Sequence, residues 1–262
     1  MKKAANFCSF FGLCFHFEKR IKKRRPFCGI ILTLKRRRFM TEKHQAFIFD
    51  MDGTIVDSLG DLCDGVNYSL KLNGLPLITL EQCRSYIGDG SVKLIERALG
   101  TDKLSFTKKV FDDYYQYYLS HCTDHTFPYE NLVSALDYAK KNNIFLFIDT
   151  NKPVKMANEV ADKCFGKGYF DKIIGIPLDG KVKPDPEAFK EGVREYNLDY
   201  KRCAYFGDSG TDILTAYNLG IEDIYSVSWG YKSRQFLETY KMKPKRIIDD
   251  PLDIIKIVNG LF

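Results

Sequence analysis

Two aspartates, Asp50 and Asp52, stand two residues apart at the end of the apolar run Ala46-Phe47-Ile48-Phe49, with Gly53 and Thr54 behind them. Like charges that close, at the end of a hydrophobic run, are costly unless a cation sits between them. The pattern points to a divalent metal and a phosphate site. Mg²⁺ is a hard cation that binds one or two carboxylates together with substrate phosphate. A calcium loop of the EF-hand type also opens D-x-D, but it needs glycine at its sixth position. Here Gly53 is the fourth residue counted from Asp50. An acidic turn without chemistry would look the same over so short a stretch, so the rest of the chain has to decide.

Three more polar clusters follow short apolar runs. Ile144 to Ile148 leads into Asp149-Thr150-Asn151-Lys152-Pro153. Lys172 to Ile176 leads into a loop containing Lys183-Pro184-Asp185-Pro186, and Cys203 to Phe206 leads into Gly207-Asp208-Ser209-Gly210-Thr211-Asp212. Together they form a phosphate-handling set. Asp50 and Asp208 supply hard oxygen ligands for Mg²⁺, with Asp212 orienting that sphere from behind. Lys183 neutralises phosphate and restrains Asp50. The Thr150 hydroxyl, beside backbone N–H groups at a helix start, holds phosphate oxygens. A neutralised Asp50 can act as nucleophile and form an aspartyl-phosphate, while Asp52 protonates the leaving oxygen and then activates water.

These residues need elements that bring them together. Apolar runs alternate with helix-like periodicity from Pro128 onward, with further strands expected at Ile224 to Val227 and Arg246 to Ile248. Strand–helix alternation of this kind predicts an α/β fold: an open parallel sheet with helices on both faces. Ligands in such sheets bind beyond the carboxyl ends of the strands, where the strand order reverses. Every cluster above lies at such an end. Between the first strand and this alternating region the pattern is purely helical. Leu59, Leu62, Val66, Leu70 and Leu72 recur behind a capping Ser58 and stop at Asn73-Gly74. Thr79 with Gln82 forms a capping-box start, Val92 to Leu99 makes a further helix ended by Gly100, and Val110 to Leu119 makes a tyrosine-rich one whose rings are expected to pack between helices. The loop Gly88-Asp89-Gly90 allows close backbone approach. The domain reading is therefore a core over 40–57 and 123–262 with an all-helical insertion over 58–122.

The 262 residues carry a formal net charge of +6, but it is unevenly spread. Residues 1–39 hold 12 of the 40 Lys and Arg and one acid, leaving the remainder at about −5. That remainder shows no nucleic-acid footprint. The basic segment is expected to be disordered or untranslated, with Met40 as the start of the compact domain. Its apolar pieces are too short to span a bilayer, and no transmembrane segment is expected elsewhere. The eight cysteines include no C-x-x-C pair, which favours reduced thiols and a cytoplasmic protein. His121-Cys122-x-x-His125 lacks a second ligand pair and is read as a solvated helix end. Oligomeric state is left open.

With these motifs in order, Asp50-Met51-Asp52-Gly53-Thr54, Thr150-Asn151, Lys183-Pro184 and Gly207-Asp208-Ser209-x-x-Asp212, residues 44–250 resemble the haloacid-dehalogenase superfamily of phosphatases. The resemblance implies a Rossmann-like core with a helical cap inserted after the first motif. It implies Asp50 as nucleophile, Asp52 as general acid and base, and Mg²⁺ held by Asp50, the Asp52 carbonyl and Asp208. It further implies that Thr150, Asn151 and Lys183 bind the substrate's phosphate, and that the cap loop around Gly88 to Ser91, with Gly88, Asp89 and Gly90, closes over the substrate and helps select it. Tyr86-Ile87-Gly88-Asp89-Gly90, Thr150-Asn151-Lys152-Pro153, Lys183-Pro184-Asp185-Pro186 and Ser228-Trp229-Gly230-Tyr231 resemble phosphoglycolate phosphatases within that superfamily. The expected activity is hydrolysis of a small phosphorylated metabolite, 2-phosphoglycolate first. A β-phosphoglucomutase-like phosphomutase, a pyrophosphatase, and a nucleotide or sugar phosphatase remain as alternatives.

Overall fold

A computed structural model describes residues 44–176 and 181–262. The readings made for residues 1–39 and for Met40 lie outside the described residues. In chain order the elements are β1 (Ala46–Phe49), β2 (Val56–Asp57), α1 (Leu59–Leu72), α2 (Leu80–Tyr86), α3 (Ser91–Leu99) and α4 (Thr107–His121), with a 3₁₀ segment at Thr101–Phe106 before α4. Then follow β3 (Phe127–Pro128), α5 (Leu132–Lys141), β4 (Phe145–Pro153), α6 (Val154–Phe165) and β5 (Lys172–Ile176). The chain continues through α7 (Glu187–Gly192), β6 (Cys203–Gly207), α8 (Gly210–Leu219), β7 (Asp223–Val227), α9 (Arg234–Thr239), β8 (Arg246–Ile248) and α10 (Asp253–Val258).

Six strands form one parallel sheet in the order β5-β4-β1-β6-β7-β8. All four residues of β1 are buried, as expected of a strand covered on both faces. Phe47 and Phe49 face a core shared with α5, α6 and α10, built on Leu136, Val160 and Ile257. Ala46 and Ile48 face a second core with Phe189 of α7 and Ile213 of α8. From β1 the chain builds outward first through β4 and β5, then returns to β6, β7 and β8 on the other side. The strand order therefore reverses at β1. The registers Phe49↔Ile148 and Phe49↔Phe206 bring the carboxyl ends of β4 and β6 level with Asp50.

The helical insertion is bracketed by an antiparallel ribbon in which Val56 pairs with Pro128 and Asp57 with Phe127. Two-residue strands have no readable periodicity, so no run of residue types marks them in the chain. The expected capping box of α2 is present: Thr79 Oγ1 accepts from the Gln82 N–H at 3.2 Å, and Gln82 Oε1 accepts from the Thr79 N–H at 2.8 Å. Leu72 and Val92, counted in apolar stripes, are exposed. Helix α7 stops at Gly192 and is followed by a 3₁₀ turn at Arg194–Tyr196.

Strand β4 runs on through Pro153, where the sequence had suggested an end at Ile148. Its polar residues are buried and paired in the crevice, so polarity there does not mark a solvent-facing loop. The strand's register against β5 shifts between Asp149 and Pro153. Tyr114 and Tyr118 of α4 are fully buried and pack between helices as expected. His121 Nδ1 lies 2.8 Å from Asp124 Oδ2 at the partly exposed end of α4, and no metal-type cluster forms there among the described residues. No helix among the described residues is long and apolar enough to cross a membrane, and the cysteines at 63, 83, 122, 164 and 203 are free.

Candidate active site

Asp50 directly follows β1, and its N–H donates to Phe206 O of the neighbouring strand at 2.9 Å. That bond fixes the point at which the chain leaves the sheet. The following loop turns back through Gly53, whose φ of +85° favours glycine, and a Cβ there would stand 2.7 Å from Asp208 Oδ2. The loop is tied from the far side of the sheet. Trp229 Nε1 donates to Thr54 O at 3.1 Å, and the Ser58 N–H donates to the Tyr231 hydroxyl at 2.8 Å.

The two aspartates face different partners. Asp50 Oδ1 accepts from Lys183 Nζ at 2.8 Å, and the same ammonium donates to Asp212 Oδ1 at 2.7 Å and to the Asp149 carbonyl at 2.9 Å. Asp52 Oδ1 instead accepts from Lys152 Nζ at 2.8 Å and from the Ser58 hydroxyl at 2.5 Å. Lys152 is itself buried and also donates to the Tyr118 hydroxyl at 2.7 Å. Lys152 and Tyr118 received no role from the sequence. Lys152 could have been suspected from its place directly after Thr150-Asn151, but Asp52 is 100 positions away and Tyr118 lies in the insertion. Ser58, expected as a helix cap, makes no side-chain cap bond and holds Asp52 instead.

Asp50, Asp208 and Asp212 place one carboxylate oxygen each within 4.8 Å of one another. Burial, followed by repulsion from Asp212, pushes the Asp208 carboxyl up to about 7, and Asp50 is raised well above the carboxylate range for the same reasons. Lys183 is raised too, by Asp212 and then Asp50, against the lowering effect of its burial. Three buried acids and one ammonium leave uncompensated negative charge. A hard divalent cation with oxygen ligands fits that deficit. Asp50 and Asp208 would hold it together with the Asp52 carbonyl. Asp212 is already engaged on both oxygens: Oδ1 by Lys183, and Oδ2 by the Ser209 N–H and hydroxyl at 3.0 and 2.6 Å. Its position suits a group that orients the others. The Asp52 side chain is not in this cluster.

The remaining expected residues divide. Thr150 and Asn151 line the cavity with Asp50, Asp52, Gly88 and Gly90. Asn151 Oδ1 also accepts from the Lys183 N–H at 2.7 Å, so it fixes the lysine's backbone as well as the cavity wall. The Asp89 carboxylate is held by Arg97 and accepts from the Thr211 hydroxyl at 2.9 Å, outside the cavity that its glycine neighbours line. It fastens the insertion to the first turn of α8.

Asp149 is a buried acid with no place among the metal donors. Its Oδ2 accepts from the Tyr205 hydroxyl at 3.0 Å, and burial raises it to about 6 from 3.8. The folded state therefore keeps a proton between pH 4 and 6 that the unfolded chain releases, so this group's contribution to stability falls as pH rises through that window. Asp149→Asn is expected to gain roughly 1–3 kcal/mol at pH 8 and little at pH 4. Denaturant midpoints at the two pH values check this; a variant weaker at both would show that the carboxylate is needed as an anion.

A family model described as haloacid dehalogenase-like hydrolase matches residues 44–220. The phosphoglycolate phosphatase of Neisseria gonorrhoeae is 31% identical over 213 residues, covering 79% of this chain and 90% of that protein. The phosphoglycolate phosphatase of Mesorhizobium japonicum is 31% identical over 195 residues, covering 73% and 86%. A crystal structure of a candidate phosphoglycolate phosphatase from Lactobacillus delbrueckii subsp. bulgaricus superposes with a TM-score of 0.74 at 27% identity, covering 82% of this chain and 98% of that one.

Proposed function

The chain belongs to the haloacid dehalogenase-like hydrolases, and on that premise we propose that it is a Mg²⁺-dependent phosphatase that hydrolyses 2-phosphoglycolate through an aspartyl-phosphate. The observation behind this reading is the separation of the two aspartates. Asp50 is held by Lys183 beside Asp208 and Asp212, and Asp52 is held by Lys152 and Ser58. One environment suits a nucleophile that receives phosphorus. The other suits a group that exchanges protons with the leaving oxygen. The names of the curated relatives supply the substrate.

As a phosphoric monoester hydrolase the protein must neutralise a dianion, present a carboxylate to it, protonate the departing oxygen and then admit water. The Thr150 hydroxyl meets the phosphoryl oxygens, while Lys183 holds Asp50 Oδ1 and adds its positive charge behind it. Asp52 gives its proton to the leaving alkoxide. It later takes one from the water that opens the aspartyl-phosphate, with Lys152 and Ser58 holding its orientation. Asp50 and Asp208 would hold Mg²⁺, which would supply neutralisation of the negative charge gathered in the crevice. Residues 58–122 serve as a cap that excludes bulk water while this happens.

The test is phosphate release from a panel of phosphoglycolate, sugar phosphates, nucleotides and pyrophosphate, with Mg²⁺ and with EDTA. Metal-dependent release with phosphoglycolate preferred is the expected result. Release spread evenly over the panel would remove the substrate assignment. No release from folded protein would remove the phosphatase.

A further inference from the structure

Both of the bonds that hold the Asp52 side chain end on one oxygen. Lys152 Nζ and the Ser58 hydroxyl donate to Oδ1, at 2.8 and 2.5 Å. A carboxylate oxygen offers about two lone pairs, and on Oδ1 both are taken. Among the described residues no hydrogen bond is made to Oδ2, and Asp52 lines the cavity beside Asp50 and Thr150. Oδ2 is therefore the oxygen left to exchange a proton with the leaving group.

What keeps the ammonium on Oδ1 lies in the insertion. The Lys152 side chain is 2% exposed, so water cannot replace a lost partner. Among the described residues its ammonium has one hydrogen-bond partner besides Asp52, the Tyr118 hydroxyl of α4 at 2.7 Å. Tyr118 is seated in turn by its surroundings. Its ring stacks on Tyr114 with centroids 5.2 Å apart. The pair packs against Gly65 of α1, where a Cβ would stand 3.4 Å from Tyr118 Cδ2 and 3.1 Å from Tyr114 Cε2. Position 65 thus has no room for a side chain unless the tyrosines give way.

We propose that Tyr118 is a positioning residue for Asp52: by anchoring Lys152 it keeps the ammonium on Oδ1 and reserves Oδ2 for the leaving oxygen. In the reaction the ester P–O bond breaks as the phosphoryl group passes to the Asp50 carboxylate. The bonding pair stays on the ester oxygen, which takes the proton from Asp52 Oδ2 and departs as a neutral alcohol. Without the phenol hydroxyl the flexible lysine is fixed by the acid alone, and its ammonium is free to bridge to Oδ2. This inference rests on the phosphatase reading above and adds to it a residue of the insertion that sets the proton-bearing oxygen.

The experiment compares 2-phosphoglycolate with acetyl phosphate in the full chain with Mg²⁺. Glycolate leaves through an alkoxide oxygen that must be protonated, whereas acetate is a stable anion and leaves without a proton. The ratio kcat/KM covers the steps up to the aspartyl-phosphate, so it separates the proton given to the leaving group from the later activation of water. Tyr118→Phe, which keeps the ring, should lower kcat/KM for phosphoglycolate about tenfold and leave that for acetyl phosphate within about twofold. Gly65→Ala, which crowds the same ring while favouring the helix, should act in the same direction by about threefold. Equal losses on the two substrates, or no loss on phosphoglycolate, would overturn the positioning role and leave the phosphatase standing. Should Tyr118→Phe fail to fold, Gly65→Ala decides by the same criteria. Hydrolysis of neither substrate by folded wild type would overturn both readings.

Discussion

Asp50→Asn should lose turnover by roughly four orders of magnitude or more, because in the proposed reaction Asp50 is the covalent nucleophile and removing it removes the pathway itself. The variant should nevertheless fold as well as the wild type. Asp50 is held in a cluster where burial and the charges of Asp212 and Asp208 disfavour its ionised form. An amide of the same shape relieves that repulsion, while Lys183 keeps its bonds to Asp212 and to the Asp149 carbonyl. Stability without metal is therefore expected to stay within about 1 kcal/mol of the wild type, or to rise. Stabilisation by added Mg²⁺ should shrink, because a ligand that binds the folded state less tightly shifts unfolding less. Steady-state rates and thermal unfolding with and without Mg²⁺ measure both arms. A variant with near-normal turnover would place the nucleophile elsewhere. A variant that unfolds would show Asp50 to be a structural partner of Lys183.

Lys183→Met should impair both properties. Lys183 Nζ touches Asp50, Asp212 and the Asp149 carbonyl, and its side chain is almost wholly buried. Removing one partner of a buried ion pair typically costs about 3–5 kcal/mol, because the remaining charge has no water to turn to. Here two carboxylates would be abandoned together. The loss should depend on pH in a fixed direction. Without the ammonium the folded-state values of Asp50 and Asp149 rise further above their unfolded ones, so the deficit is largest near neutrality and shrinks as pH falls toward the ordinary carboxylate range. Turnover should fall by roughly three orders of magnitude, since the attacking oxygen and the phosphoryl oxygens lose the same cation. Denaturant unfolding at pH 5 and 8 and steady-state kinetics give the two readings. Stability and rate within a factor of two of the wild type would mean that Lys183 neither balances this cluster nor serves the reaction.

The comparison of these two residues shows what was legible in the chain and what was not. Asp50 and Asp52 were readable because their meaning is local: two charges closing an apolar strand need a cation whatever the fold around them. Strand–helix alternation was equally legible, because burial on both faces of a parallel sheet writes continuous apolar runs such as Phe47 to Phe49 into the sequence. From these two facts the crevice at the strand ends followed, and with it Thr150, Lys183 and Asp208.

Which acid meets which base was decided only by the tertiary structure. Nothing local pairs Lys152 with Asp52 and Lys183 with Asp50, since both lysines stand far along the chain from either acid. The sheet register and the insertion choose. Tyr118 descends from α4 to meet Lys152, and Asn151 turns Lys183 by its backbone toward Asp50. The same holds for Asp89. Its sequence neighbours Gly88 and Gly90 line the cavity, while its own carboxylate crosses to Thr211 on α8. Adjacent side chains leave an extended loop in different directions, and only the packed partner shows which of them faces the site. The sequence by itself determined which polar residues stand at the strand ends, because charge spacing and apolar periodicity are properties of neighbours along the chain. The assignment of partners arises from residues that meet only when the insertion folds down over the sheet.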